Sequence, residues 1–189
     1  MALQRGVQDG CLLAVREIEQ AVSRIDWESW EAVPARLRQA QAVFTVGNGR
    51  SGLVMRMTAM RLMHVGLTAH VVGDTTTPAI TGDDVLIAVS GSGSTNGVLY
   101  AARKAADSGA SVIAVTANAG SELAGLADLV LTIPAPEKTD HGDERSSEQY
   151  AGTLFEQVAL LAFEGVFTAL WRESGQDAKQ MYQRHANLG

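Results

Sequence analysis

From Ala42 onward the chain alternates short apolar runs with helical segments, and no other feature constrains its fold as tightly. Ala42-Val43-Phe44-Thr45-Val46 reads as a buried strand, and residues 51–65 follow as a helix. Residues 68–72 are strand-like, as is Val85-Leu86-Ile87-Ala88-Val89. Residues 95–108 read as a helix that stops at Gly109, residues 111–116 as a fourth strand and residues 128–133 as a fifth. Strands that alternate with helices imply βαβ units and a parallel sheet covered on both faces.

Helices flank this core. Leu12, Leu13, Val15, Ile18, Val22 and Ile25 recur at helical spacing. A second amphipathic segment covers residues 27–40, with Pro34 marking a start or a kink. Residues 1–40 are therefore read as a helical extension packed on a single domain that spans residues 1–189. After the fifth strand comes a polar loop over residues 134–145. Ser146 and Gln149 then have the spacing of a capping box that opens a long helix to about Trp171. Residues 177–189 make a short helix and a tail. There is no internal repeat, low-complexity tract or domain boundary.

Composition narrows the partners. The formal net charge is -6, which argues against nucleic acid, because phosphate backbones need clustered Lys and Arg. It does not argue against small phosphorylated metabolites, which local backbone dipoles can hold. The single cysteine, Cys11, has no internal disulfide partner. Charged residues in the first turns rule out a signal peptide, and the longest apolar stretch, residues 154–171, is interrupted by Glu156 and Glu164. A cytoplasmic protein without membrane contact is the expectation.

Two loops fall beyond the carboxyl ends of strands, where ligands sit in such sheets. The first is Gly47-Asn48-Gly49-Arg50-Ser51-Gly52. It matches the dinucleotide pattern G-x-G-x-x-G, with Asp74 about twenty residues on, but Asp74 lies past the expected strand end in a Thr-rich turn. The second is Ser90-Gly91-Ser92-Gly93-Ser94-Thr95, which sets small residues, hydroxyls and free amides at a helix N-terminus. That composition suits an anion, and no Lys follows to make a Walker loop. Two adjacent loops of this kind favour one small phosphorylated ligand over a dinucleotide. Arg50 either adds charge to that site or is a surface arginine.

At these loops the sequence resembles the SIS (sugar isomerase) domains, and among them the 6-phospho-3-hexuloisomerases. The likeness runs over residues 42–188. It is carried by Gly49-Arg50-Ser51-Gly52, Ala59-Met60-Arg61-Leu62-Met63-His64, Gly73-Asp74-Thr75-Thr76-Thr77-Pro78 and Ser90-Gly91-Ser92-Gly93. Ala127-Asp128-Leu129-Val130, Gly152-Thr153-Leu154-Phe155-Glu156-Gln157 and the tail Arg184-His185-Ala186-Asn187-Leu188 extend it. The resemblance implies a three-layer, flavodoxin-like five-stranded sheet and a cofactor-free homo-oligomer, typically a tetramer. It implies isomerisation of 3-hexulose 6-phosphate to fructose 6-phosphate, the second step of formaldehyde fixation by the ribulose monophosphate route. By resemblance phosphate would be held by Ser51 with Ser90, Gly91, Ser92, Gly93, Ser94 and Thr95, and Glu156 would accept the proton; Gly49 and Arg50 of the first loop are further phosphate-binding candidates. Two positions depart from the pattern. Tyr150-Ala151 stands where many relatives have Pro-Met, and the chain ends Leu188-Gly189 where some end in Glu.

The chemistry asks for a proton taken from C2 and returned at C3 through a cis-enediol, by a carboxylate or imidazole within reach. A second donor must stabilise the enediolate oxygen. Glu156 sits early in the long helix with Gly152, Thr153, Ala159 and Leu160 at three and four residues, all uncharged. It is either that base or a carboxylate favouring the helix dipole. His185 is either an exposed tail residue or a second catalytic group that docks on a neighbouring subunit. His64 is expected to be a satisfied core histidine, and the methionines around it core filler. Lys138, Asp140 and His141 lie in a loop that is either solvated or closes over the sugar. His64, His70, His141 and His185 give no metal-ligand pair, so no metal is expected. Other readings are an arabinose 5-phosphate isomerase, a non-catalytic sugar-phosphate sensor and a nucleotide-dependent oxidoreductase. The first would carry His-Gly-Asp where Thr75-Thr76-Thr77-Pro78 stands.

Overall fold

The computed structural model describes residues 2–136, 147–150 and 152–188, with side chains from residue 6 onward. Expectations placed on Lys138, Asp140, His141 and Ser146 lie outside the described residues.

Three helices lead the chain: α1 (Ala2–Val22), α2 (Trp27–Glu31) and α3 (Val33–Gln39). The amphipathic segment at 27–40 is thus two helices. Pro34 lies in the first turn of α3, where its missing N–H has no intrahelical partner to lose. The Asp26 side chain caps α2 by accepting from the Glu28 N–H at 3.2 Å. The core then runs β1 (Val43–Gly47), α4 (Arg50–His64), β2 (Ala69–Val71), β3 (Val85–Val89), α5 (Asn96–Asp107), β4 (Ser111–Thr116), α6 (Glu122–Gly125), β5 (Leu129–Thr132), α7 (Thr153–Ser174) and α8 (Ala178–Tyr182). Helix α6 is a single turn, too short to leave a periodic signal.

The strands form one parallel sheet in the order β2-β1-β3-β4-β5. Because side chains alternate along a strand, the apolar runs divide between two cores. Val43, Val85, Ile87, Val89, Ile113, Val115 and Leu131 face one layer, packed with Val54, Met55 and Leu62 of α4, with α7, and with residues of α1 to α3. Phe44, Val46, Leu86, Ala88, Val112 and Ala114 face the other, packed with Val98, Leu99, Ala102 and Ala105 of α5 and Leu123 of α6. This is the expected three-layer, flavodoxin-like arrangement. The N-terminal helices thicken one layer.

Helix α7 begins at Thr153, later than the capping-box reading places it. Gly152 precedes it in the left-handed region (φ 76), which stops residues 147–150 from continuing the helix backward. Ser147 and Gln149 instead hydrogen-bond to Glu17 of α1. By length and apolarity α7 could cross a membrane, but Leu154, Phe155, Val158, Phe163 and Leu170 are buried in the core. It is the central helix of its layer.

Strands β1 and β3 are neighbours, and the chain leaves them in opposite directions, to β2 and to β4. That switch point, where doubly wound sheets form a ligand crevice, lies above the carboxyl ends of β1 and β3. Both glycine loops border it.

Candidate active site

The first loop is compressed between β1 and α4. A Cβ on Gly47 would lie 2.8 Å from the Ser51 carbonyl carbon, and one on Gly52 would lie 2.6 Å from the Gly47 carbonyl oxygen. Only glycine lets strand end and helix start approach so closely. Gly49, at φ 58 and ψ -131, redirects the chain into α4, which begins without a side-chain cap. Among the described residues no side chain caps its first N–H groups. Ser51 is 5% exposed, Arg50 extends outward and Asn48 is exposed.

The second loop repeats the arrangement on β3. Thr95 is the N-cap of α5, yet its hydroxyl is engaged with the Ser90 hydroxyl at 2.9 Å and makes no cap bond. Ser94 donates its N–H and its hydroxyl to Ser92 Oγ. Buried Thr116, at the end of β4, donates to the Gly91 carbonyl at 3.1 Å and props the loop from behind. Gly93 has φ 61, and a Cβ there would collide with Ser121 Oγ at 2.0 Å. The two loops are adjacent, since a Cβ on Gly97 of α5 would lie 3.3 Å from Asn48 Nδ2.

Helix α7 closes the third side. A Cβ on Gly91 would lie 3.3 Å from Phe155 Cδ1, so the first turn of α7 packs over the second loop. The next residue, Glu156, is 2% exposed and accepts a short charge-assisted hydrogen bond from Arg50 Nε. Gly49, Arg50, Ser51, the 90–95 loop and Glu156 are thus brought together in one chain. Glu156 does not stand on a purely uncharged face, as its helical neighbours suggested. Its cationic partner comes from α4, 106 residues away in sequence.

His185 is elsewhere. Its ring stacks on His64 at 4.0 Å between centroids and 24° between planes, with Tyr182 on the same stack. His64 is the last residue of α4 and Arg50 the first. A helix of 15 residues spans about 21 Å, so within one chain His185 and Glu156 lie at opposite ends of α4. The tail is fastened there by Arg184, which donates to the His64 carbonyl at 3.3 Å and to Gln176 Oε1 at 2.5 Å. A cavity of about 270 Å³ lies beside it, lined by Arg61, His64, Phe167, Trp171, Met181 and His185.

His64 is buried, as expected, and among the described residues its Nδ1 has no hydrogen-bond partner. Burial first, then the nearby His185 and Arg61, hold it below the usual histidine range. The methionines divide. Met55 is fully buried, whereas Met57, Met60 and Met63 lie on the open face of α4 and are not core filler. Asp74 is exposed and paired with Arg56, with Oδ1 at 2.7 Å from Nη2, so it does not close a strand as a ribose ligand must. Among the described residues no group of three or more His, Cys, Asp or Glu is arranged to hold a metal. Sequence reasoning passed over Asn48, Thr116 and Glu17. Each acts through tertiary contact and leaves no local pattern.

The fold and the crevice define a class. Residues 36–159 match the SIS domain model. The chain is 51% identical to the 3-hexulose-6-phosphate isomerase of Mycobacterium gastri over 172 residues, covering 91% of this chain and 86% of that one. It is 35% identical to the enzyme of the same name from Bacillus subtilis, over 92% of this chain and 94% of the relative. A crystal structure from Methanococcus jannaschii, from which a 3-hexulose-6-phosphate isomerase function was inferred, superposes with a TM-score of 0.80 at 30% identity, covering 95% and 99% of the two chains. The chain is a SIS-domain protein and belongs to the 3-hexulose-6-phosphate isomerase family.

Proposed function

We propose that this chain interconverts 3-hexulose 6-phosphate and fructose 6-phosphate. The observation that carries the reading is the buried Glu156 carboxylate, ion-paired to Arg50 where both glycine loops meet. The 6-phosphate sits against the N-termini of α4 and α5. There Gly49, Ser51 and residues 90–95 offer backbone N–H groups, hydroxyls and two aligned helix dipoles. An ion of this kind is held without a lysine and despite a formal net charge of -6.

With the phosphate fixed, the sugar carbons lie toward α7. Glu156 takes the proton from C2, and the C2–H electron pair forms the C2=C3 bond of a cis-enediolate as charge moves onto O3. The proton returns to C3, and the hydroxyl proton passes from O2 to O3, leaving the carbonyl at C2. No oxidant or reductant is consumed. Arg50 offers guanidinium N–H donors beside the carboxylate and stabilises the enediolate oxygen as charge develops. A positioned carboxylate typically contributes 10²- to 10⁴-fold by this route.

His185 serves a neighbouring copy. At the far end of α4 it cannot reach its own Glu156, so in this reading it assists ring opening or proton shuttling in trans. That requires an oligomer, taken as a tetramer, and exposed Leu53, Met57 and Met60 on α4 with Val7, Leu12 and Val15 on α1 are available to form it. The enzyme acts in the cytoplasm, in formaldehyde assimilation by the ribulose monophosphate route.

The test is to supply 3-hexulose 6-phosphate, generated in place from formaldehyde and ribulose 5-phosphate, and to follow fructose 6-phosphate without added metal or nucleotide. Wild type is expected to form product rapidly and Glu156→Gln to lose about 10³-fold in kcat. No product from the wild type would reject the substrate, and equal product from both would reject Glu156 as the base.

A further inference from the structure

Glu17 is a buried charge that the chemistry above does not use. It lies on α1, outside residues 36–159 matched by the SIS domain, and is 8% exposed. Its carboxylate accepts three hydrogen bonds from a single short segment. Ser147 Oγ donates to Oε2 at 2.6 Å, the Glu148 N–H to Oε1 at 2.7 Å and Gln149 Nε2 to Oε2 at 2.9 Å. Ser147 Oγ also accepts from the Gln149 N–H at 3.1 Å, which closes the segment on itself. A carboxylate that collects three donors from consecutive residues acts as a clamp on the chain that carries them.

That chain leads directly to the site. Three residues after Gln149, Gly152 turns through the left-handed region and starts α7, and Glu156 stands one turn in. Among the described residues no side chain caps the first turn of α7. Its placement comes from Leu154, Phe155 and Val158 in the core, from the Arg50 pair at Glu156, and from the segment fastened to Glu17. Beyond the segment held by Glu17, the Tyr150 carbonyl accepts from the Thr153 N–H at 3.1 Å and the Gly152 carbonyl from the Glu156 N–H at 3.4 Å.

We infer that Glu17 is a positioning residue: it fixes the start of α7, and through it the Glu156 carboxylate, relative to the two phosphate-binding loops. This rests on the reading of Glu156 as the base. The helical extension then has a catalytic purpose besides covering the sheet. A displacement of about 1 Å in a reacting group can cost 10²-fold in rate, whereas phosphate affinity resides in loops that Glu17 does not touch. Loss of the clamp therefore falls on kcat and spares KM.

The experiment compares wild type, Glu17→Ala, Glu17→Gln and Ser147→Ala by steady-state kinetics on 3-hexulose 6-phosphate and by amide hydrogen exchange. Glu17→Ala is expected to lose between tenfold and 100-fold in kcat, with KM within about threefold of wild type. Exchange is expected to rise over residues 147–156 and to stay unchanged in β1, β3 and β4. Glu17→Gln, whose one amide oxygen can keep Ser147 and Gln149 as donors at the Oε2 position but loses the Glu148 N–H, recovers part of the lost rate. Ser147→Ala gives a smaller loss of the same kind. Wild-type kcat in a folded Glu17→Ala, or exchange that rises evenly across the sheet, overturns the inference. If Glu17→Ala does not fold, Glu17→Gln and Ser147→Ala decide by the same two readouts. An inactive wild type refutes the substrate reading instead, and local exchange at 147–156 alone then decides whether the clamp exists.

Discussion

Glu156 shows how much of a residue's setting a linear reading can recover. Its place early in an apolar helix was legible, and so was the position of Ser90 to Thr95 as a glycine- and serine-rich loop before a helix. Its ion pair with Arg50 was not, because partners 106 positions apart share no local pattern. The glycines behave similarly. The motif shows that small residues are needed, and only the fold shows which backbone each one meets. Gly52 is the sharpest case, since a Cβ would stand 2.6 Å from the Gly47 carbonyl oxygen. Gly52→Ala is expected to push α4 off the end of β1, lowering stability by about 1–3 kcal/mol and raising KM for the sugar phosphate. Denaturant unfolding and steady-state kinetics check both, and a variant with wild-type KM would show that the first loop does not hold the phosphate.

Among elements, the strands were the most legible because buried parallel strands are nearly continuous apolar runs. Residues 85–89 and 111–116 fell where the pattern put them. Helix starts were less so. The Ser146 to Gln149 spacing fits a capping box, yet Glu17 draws Ser147 and Gln149 away and α7 starts later, at Thr153. A tertiary acceptor outcompetes a local one when it is charged and buried. The tail is an element with its own pH dependence. His64 is held below its usual range, chiefly by burial, so the fold favours its neutral form. Its contribution is complete above the unfolded histidine pKa of about 6.5 and declines as pH falls through that value toward the lower folded one. At Glu17, burial pushes the carboxyl up, but hydrogen bonds from Ser147, Gln149 and the Glu148 N–H outweigh it and leave the group lowered. That contribution is present above the ordinary glutamate range and is lost only at still lower pH. The thermal midpoint of the wild type is therefore expected to fall between pH 7.5 and 5.5, and His64→Leu to flatten the slope. An unchanged slope would show that the histidine stack does not hold the tail.

For the molecule as a whole, the alternation of strands and helices was enough to give the three layers and the parallel sheet. The strand order defines the crevice between β1 and β3, and the two glycine loops mark it in the sequence. What one chain does not contain is a contact between its own His185 and Glu156, which lie at opposite ends of α4. The proposal that His185 acts in trans needs another copy to cover the exposed apolar residues Leu53, Met57 and Met60 of α4. For the proposed tetramer a solution mass of four 20.0 kDa chains is expected, and Met57→Glu is expected to lower both the mass and kcat. A fully active monomer would remove His185 from the mechanism.

The central claim is that Glu156 carries a proton between C2 and C3, and isotope exchange addresses that step directly. Fructose 6-phosphate is incubated with enzyme in deuterium oxide and the recovered sugar is read by NMR. Wild type is predicted to place deuterium at C3, with none appearing in Glu156→Gln over the same interval. Label at C1 in place of C3, or exchange in the variant at the wild-type rate, would contradict the account.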